Sequence, residues 1–238
     1  MFEGPFSSSI IKNAIDKKIV DLNYVNIRDF GIGRHKVVDD KPYGGGKGMI
    51  IRVDVLERAI AKAASDFAKT KNSALQKPRL TRQDQKVILL TPSGKTFNQE
   101  IARKLANLKH LILVCGHYEG VDKRAENFVD EKISIGDFIV TGGEIPAMLI
   151  VDAVVRLTKG VLKKEVTSKE SFSPYLEYAQ YTKPRRYKNL RVPKVLLSGH
   201  HKEIDEWRQK QSIQTTRTFR PDLFKRIRVD GSRGGSGR

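Results

Sequence analysis

KVILLTPSGKTFNQEIARKLANLKHLILVC, residues Lys86–Cys115, is the stretch that decides the fold. It opens on Lys86–Leu90 and closes on His110–Cys115. Both ends are short and rich in Val, Ile and Leu, as strands buried on both faces are. Between them Thr96 stands where a helix over Phe97–Asn107 would be capped, with Gln99 at the capping-box position. A strand, a helix and a strand in so short a span make a crossover unit with parallel strands.

The alternation continues outward. Downstream, Asp122–Val129 reads as a helix and Phe138–Thr141 as a third short strand. Pro146, suited to a first helical turn, opens an apolar helix to about Thr158. Upstream, Ile10, Ile11, Ala14 and Ile15 share one face of a helix over Ser7–Lys18. Val20–Val25 reads as a strand. Asp54–Ala68 reads as a helix with Asp54 as N-cap and Glu57 closing a capping box. Lys69–Gln85 is polar and basic, a surface loop. The fold class is α/β with a parallel sheet, placed over residues 1–160. A loop-like linker follows over 161–190. A small basic domain covers 191–228, with Val192–Leu197 short and apolar and helices over His201–Gln214 and Pro221–Arg228. Residues 229–238 form a Gly/Ser/Arg tail of disordered composition.

Charge separates these parts. The 238 residues carry a formal net charge of +18. From Lys183 to the end there are 16 Lys+Arg against 5 Asp+Glu, a net of +11, so the first 182 residues hold the other +7. So uneven an excess points to a polyanion, nucleic acid before membrane, because the basic segments lack large apolar helical faces; a merely basic surface is the bland alternative. The longest apolar runs are far too short to span a bilayer. The start, MFEGPFSSSI, lacks the basic and apolar regions of a signal peptide, so the expected address is cytoplasmic. Cys115 is the single cysteine; with five scattered His it offers neither a disulfide nor zinc spacing and reads as a small buried hydrophobe. No metal site is expected from the protein's own ligands.

Three glycine-rich loops carry the chemistry. VDDKPYGGGKGM, Val38–Met49, has three successive glycines, with His35 and Asp39 near its start and Gly48 near its end; it is either a flexible surface loop or one that approaches a ligand closely. LLTPSGKTFNQ, Leu89–Gln99, contains Gly-Lys-Thr, but a phosphate loop needs a glycine where Leu89 stands. What remains is a turn at the C-terminal end of a strand, where open α/β sheets bind ligands. The third loop is bipartite: CGHYEGVD, Cys115–Asp122, and SIGDFIVTGGEIPA, Ser134–Ala147. No G-x-G-x-x-G is present, so an ordinary dinucleotide fold is unsupported. Loops at adjacent strand ends can share one small-ligand pocket.

In order, IRDF…GRHKVVDDKPYGGGKGM, LLTPSGK, CGHYEGVD, ISIGDFIVTGGEIPAM, VDAVVRL, ESFSPYLEYAQYTKP, VPKVLLSGHH, EWR and RPDLF closely resemble the TrmD family of bacterial tRNA (guanine-N1)-methyltransferases. The similarity runs from about Phe2 to Phe224. It implies the SPOUT fold, a parallel sheet with a deep trefoil knot, and an obligate homodimer with shared active sites. It also implies S-adenosylmethionine bound bent in the knot loops. By that resemblance the cofactor residues are Thr91, Pro92 and Gly94; Cys115, Gly116, Tyr118, Glu119 and Gly120; and Ser134, Ile135, Gly136, Phe138, Ile139, Thr141, Gly142, Gly143 and Pro146. The substrate would be tRNA with guanines at positions 36 and 37, contacted by His35, Asp39, Gly48, Arg185, Arg186 and Lys188. Magnesium dependence follows too, with Glu119 a participant.

N1 of guanine keeps a proton and is a poor nucleophile until a base removes it, while a cation can stabilise charge developing on O6. The family's Arg matches Arg156 and its basic Asp falls on Glu170. On residue pattern alone Arg156 could be a surface helix residue and Glu170 an ordinary linker acid. His200 and His201 read as turn or RNA-facing residues, Trp207 as the core of the small domain before a stacking platform. The chain departs from the family at Glu170, where Asp is usual, and at His117, where Arg is usual. The family also opens with a strand ending in Phe-Pro ahead of the segment matched by Met1, so an upstream extension encoding it is expected. A non-catalytic RNA-binding relative, or a knotted methyltransferase acting on ribosomal RNA or a ribose, are the competing readings. The cofactor glycines and Arg156 argue against the first. The Glu-Ser-Phe segment and the Asp-Asp-x-Pro-Tyr-Gly-Gly-Gly loop argue against the second.

Overall fold

A computed structural model describes residues 1–69 and 84–233. The chain divides into two compact units, Met1–Leu162 and Lys163–Arg238. In the first, α1 (Glu3–Phe6) and α2 (Ser9–Asp16) precede a two-stranded antiparallel pair, β1 (Asp39–Asp40) and β2 (Ile50–Ile51), and α3 (Val53–Lys69). Then come β3 (Gln85–Thr96), α4 (Gln99–Leu105), β4 (His110–Cys115), β5 (Glu131–Ser134) and α5 (Glu144–Val155). β3 lies at the centre of a three-stranded sheet, parallel to β4 on one side and to β5 on the other. The mixed α/β class and the parallel sheet are as expected.

Alternation within β3 explains why the sheet is covered on both faces. Val87 and Leu89 turn to one side, packing with Ile112, Val114, Ile51, Leu56 and Ala125. Ile88 and Leu90 turn to the other, packing with Ile133, Leu105, Ala147, Ile150 and Val154. A side chain such as Ile88 or Ile150, with no exposed surface, contributes roughly 1.5–3 kcal/mol by leaving water. α5 therefore packs on the face opposite α3. A third cluster joins Phe6, Ile11 and Ala14 to Val155.

Several expected elements differ. Val20–Val25 is not a strand: Val20 and Leu22 still turn inward against the Phe6 cluster, but the segment enters no ladder. The third strand is β5, not Phe138–Thr141. Phe138 and Ile139 are 56% and 84% exposed, so that apolar run belongs to a loop. Thr96 is drawn into the ladder opposite Ser134, so Asn98 caps α4 instead, accepting from the Ile101 amide at 3.0 Å. Asp54 lies inside the first turn of α3, where it holds the Arg52 guanidinium at 3.0 Å and the Val55 amide at 3.0 Å. Asp122 caps a 3₁₀ helix, Lys123–Phe128, rather than an α-helix. The basic loop expected over Lys69–Gln85 lies outside the described residues from 70 to 83.

The second unit holds α6 (Lys164–Thr167), a hairpin of β6 (Arg186–Tyr187) and β7 (Leu190–Arg191), α7 (His201–Phe219) and α8 (Pro221–Arg233). α8 runs past the expected start of the tail at 229, while 234–238 lie outside the described residues. Thr216, fully buried on α7, donates to the Ser212 carbonyl at 2.7 Å and accepts from the Leu176 amide at 2.9 Å. That bond fastens the segment after Ser171 to the helix.

Candidate active site

Residues 91–94 leave the plane of β3 and return to it. Leu90 and Lys95 both lie opposite Ile133 on β5, so the four residues between them are looped out at the end of the buried strand. The loop folds back onto β5 itself: a Cβ on Gly94 would lie 2.4 Å from the Ile133 nitrogen and 2.5 Å from the Lys132 carbonyl carbon. Backbone alone already requires glycine there. Pro92 and Ser93 are exposed and Thr91 is half-buried.

The second loop follows β4. Cys115 ends the strand; burial, with Glu144 adding to it, pushes its thiol up to about 12. Gly116 accepts from the Gly143 amide at 2.8 Å, and a Cβ on Gly143 would sit 2.6 Å from the Cys115 Cα. The loops 115–120 and 134–143 therefore lie backbone against backbone. His117 Nε2 meets Glu144 Oε1 at 2.7 Å. Tyr118 holds a left-handed φ of 61° and is 56% exposed. Gly120, at φ 119°, has nothing within 4 Å of where a side chain would begin.

In the third loop Ser134, buried, donates its hydroxyl to the Gly136 carbonyl at 3.1 Å and accepts from the Gly136 amide at 3.2 Å. Ile135 packs against the core. Phe138, Ile139 and Thr141 are exposed, and Pro146 is buried in the first turn of α5. Exposed apolar side chains thus stand beside loop backbone at the end of the sheet.

The glycine-rich loop joins this group through β2. Ile51 pairs antiparallel with Asp39 and parallel with Val121, and its amide donates to the Gly120 carbonyl at 3.0 Å. Glu119 donates its amide to Met49 at 3.1 Å, and a Cβ on Gly48 would lie 2.3 Å from the Glu119 Cγ. Asp39, Gly48 and the 116–121 loop are thus brought together. The second acid of the pair, Asp40, is engaged by Arg52 at 3.4 Å and by the Lys41 amide at 2.8 Å. His35 lies on the exposed tip of a small hairpin closed by Ile32 and Val37.

Arg156 is the half-buried C-cap of α5 in the first unit. Glu170 is half-buried in the second, next to Ser171, whose hydroxyl accepts from the Glu177 amide at 3.0 Å. Arg185, Arg186 and Lys188 are all exposed at the β6–β7 hairpin; the Arg186 Nε donates to the Lys188 carbonyl at 3.0 Å. Trp207 is half-buried in the second unit, 6.4 Å from the Tyr181 ring. Pattern reading missed Glu144, which the sequence offered only as the acid after two glycines.

The family model of tRNA (Guanine-1)-methyltransferase TrmD matches residues 1–226. The chain belongs to the TrmD family. Among curated relatives named tRNA (guanine-N(1)-)-methyltransferase, that of Carboxydothermus hydrogenoformans is 51% identical over 228 residues, covering 94% of this chain and 83% of its own. That of Dictyoglomus turgidum is 46% identical, over 95% and 86%. That of Endomicrobium trichonymphae is 44% identical, over 95% of both chains. The TrmD match spans all three glycine loops, Arg156, Glu170 and the basic hairpin.

Proposed function

We propose that the protein is a tRNA (guanine-N1)-methyltransferase that methylates guanine 37, next to the anticodon, and so supports reading-frame maintenance. The observation that carries this is the TrmD match over 1–226 falling on loops that meet at one end of the parallel sheet. Bound S-adenosylmethionine supplies a methyl group activated on a sulfonium. The loops 91–94, 115–120 and 134–146 hold it through open backbone and the apolar side chains of Phe138 and Ile139. Glu170 takes the N1 proton, and Arg156 stabilises charge on O6. Asp39, whose neighbour Asp40 is occupied by Arg52, contacts the tRNA together with His35 and Gly48. Arg185, Arg186 and Lys188 hold its phosphates.

The finer architecture belongs to the same reading. The looped-out 91–94 segment, packed on β5, is part of the trefoil knot. The second unit supplies the linker and the tRNA-binding domain. A homodimer is supported by apolar side chains left on the outer face of α5: Ile150 and Val154 face the core, yet Ile145 and Leu149 remain 47% and 46% exposed. Among the described residues no group of three or more His, Cys, Asp or Glu could hold a metal. A magnesium ion near Glu119 would therefore take its other ligands from substrate and water. No helix among the described residues is long and apolar enough to cross a membrane.

The test is methyl transfer to a tRNA transcript with guanines at positions 36 and 37, followed by nucleoside digestion. 1-Methylguanosine at position 37 is expected. A ribose-methylated product, or methylation of ribosomal RNA in preference to tRNA, would overturn the reading.

A further inference from the structure

His117 and Glu144 are 27 residues apart, yet His117 Nε2 and Glu144 Oε1 are 2.7 Å apart. They belong to different segments, His117 to the loop after β4 and Glu144 to the first turn of α5. Their bond runs beside the backbone bond from Gly143 to Gly116. The glycine between these contacts is shaped by the pair: a Cβ on Gly142 would lie 2.5 Å from Glu144 Oε2 and 2.8 Å from His117 Cε1. The φ of Gly142 is not positive, so its backbone is unstrained and what lies beside it is the His117–Glu144 pair. Room is kept for the His–carboxylate contact, and it is kept on the two loops assigned above to the methyl donor.

We propose that His117 is a positioning residue, which with Glu144 clamps the 115–120 loop to the 141–144 turn in the conformation that binds S-adenosylmethionine. The inference rests on the proposed function. The His117 Nε2 is spent on Glu144, so the role given to His117 is exerted through the loops. A charge-assisted bond between two loops lowers the entropy lost when the ligand orders them. Its effect therefore falls on ligand affinity and not on the chemical step. Glu144 is 19% exposed and His117 43%, so water weakens the contact without abolishing it.

Calorimetric binding of S-adenosylmethionine to the full-length protein, with steady-state kinetics alongside, tests this. His117→Ala and Glu144→Ala should each raise the Kd and the KM for S-adenosylmethionine about five- to tenfold, leaving kcat and the KM for tRNA within about twofold. The double variant should bind no worse than either single one, because both remove the same bond. His117→Gln, which keeps a donor within reach of the carboxylate, should restore affinity to within about twofold. Independent, multiplicative losses, a loss confined to kcat, or a lowered melting temperature with unchanged Kd would each overturn the clamp. Wild-type protein that fails to bind S-adenosylmethionine would overturn the functional reading as well; wild-type binding with an unaffected His117→Ala overturns this inference alone.

Discussion

Glu170 carries the most weight of any single side chain, because it replaces an Asp with an acid of similar strength and one more methylene. A displacement of about 1 Å can cost roughly a hundredfold in rate, so the proposed role of Glu170 as base requires a backbone that holds the longer acid further back. Glu170→Gln should lose nearly all single-turnover methylation while tRNA and S-adenosylmethionine still bind, and Glu170→Asp should be slower than the native enzyme. Glu177→Gln and Glu165→Gln are the comparisons; near-native turnover in Glu170→Gln moves the base elsewhere. Cys115 makes a quieter prediction. With its thiol raised to about 12 by burial and by Glu144, the reactive thiolate is scarce at pH 8. A thiol-specific reagent should label native protein far more slowly than unfolded protein; equal rates would mean the strand end is open. Asp54 adds a pH effect. Its carboxyl is held below the usual range first by the hydrogen bond from Arg52. A depressed folded-state pKa gives stability that is present above the unfolded value and lost as pH falls through the folded one. Melting temperature should fall with acid in that window, and Asp54→Asn should flatten that part of the profile.

Among the elements, β3 and α5 bear the site. Gly94 is the hinge of the 91–94 excursion, and its backbone contact with Ile133 leaves no room for a methyl group. Gly94→Ala should lower both stability and S-adenosylmethionine affinity, measured by denaturant unfolding and calorimetry. A silent Gly94→Ala would mean the excursion is pliable. Ile150→Ala empties a fully buried position on α5 and should cost about 2–5 kcal/mol, read from the urea midpoint at unchanged slope. A Cβ at Gly142 would also meet the ends of the Glu144 and His117 side chains, 2.5 and 2.8 Å away, so the pair lies beside the T-G-G-E backbone assigned to the cofactor.

The whole molecule is polarised by charge, with the exposed cations of the β6–β7 hairpin leading the excess beyond Lys183. Phosphate binding that releases counterions makes affinity fall steeply with salt. Neutralising Arg185, Arg186 and Lys188 together should weaken tRNA binding, lower the slope of log affinity against log salt by about two to three, and spare S-adenosylmethionine binding. A flat salt titration of the native protein would remove electrostatic docking from the account.

Local pattern carried the reading of this protein a long way. Short Val/Ile/Leu runs spaced by a helix announced parallel strands buried on both faces, because a strand with no wet face has no reason to alternate. The order of motifs placed the family. Contacts between distant segments lay beyond that pattern. β5 is the strand because Glu131–Ser134 can reach the β3 ladder, although Phe138–Val140 looks the better strand former. Thr96 gave up its cap to Asn98 for the same ladder. Ile51 joins Asp39 to Val121 only because two chain passes lie on either side of it, and His117 finds Glu144 only once β4 and α5 are packed. Hydrogen bonds between residues tens of positions apart depend on which backbones meet, and that is settled by the packing of the folded chain.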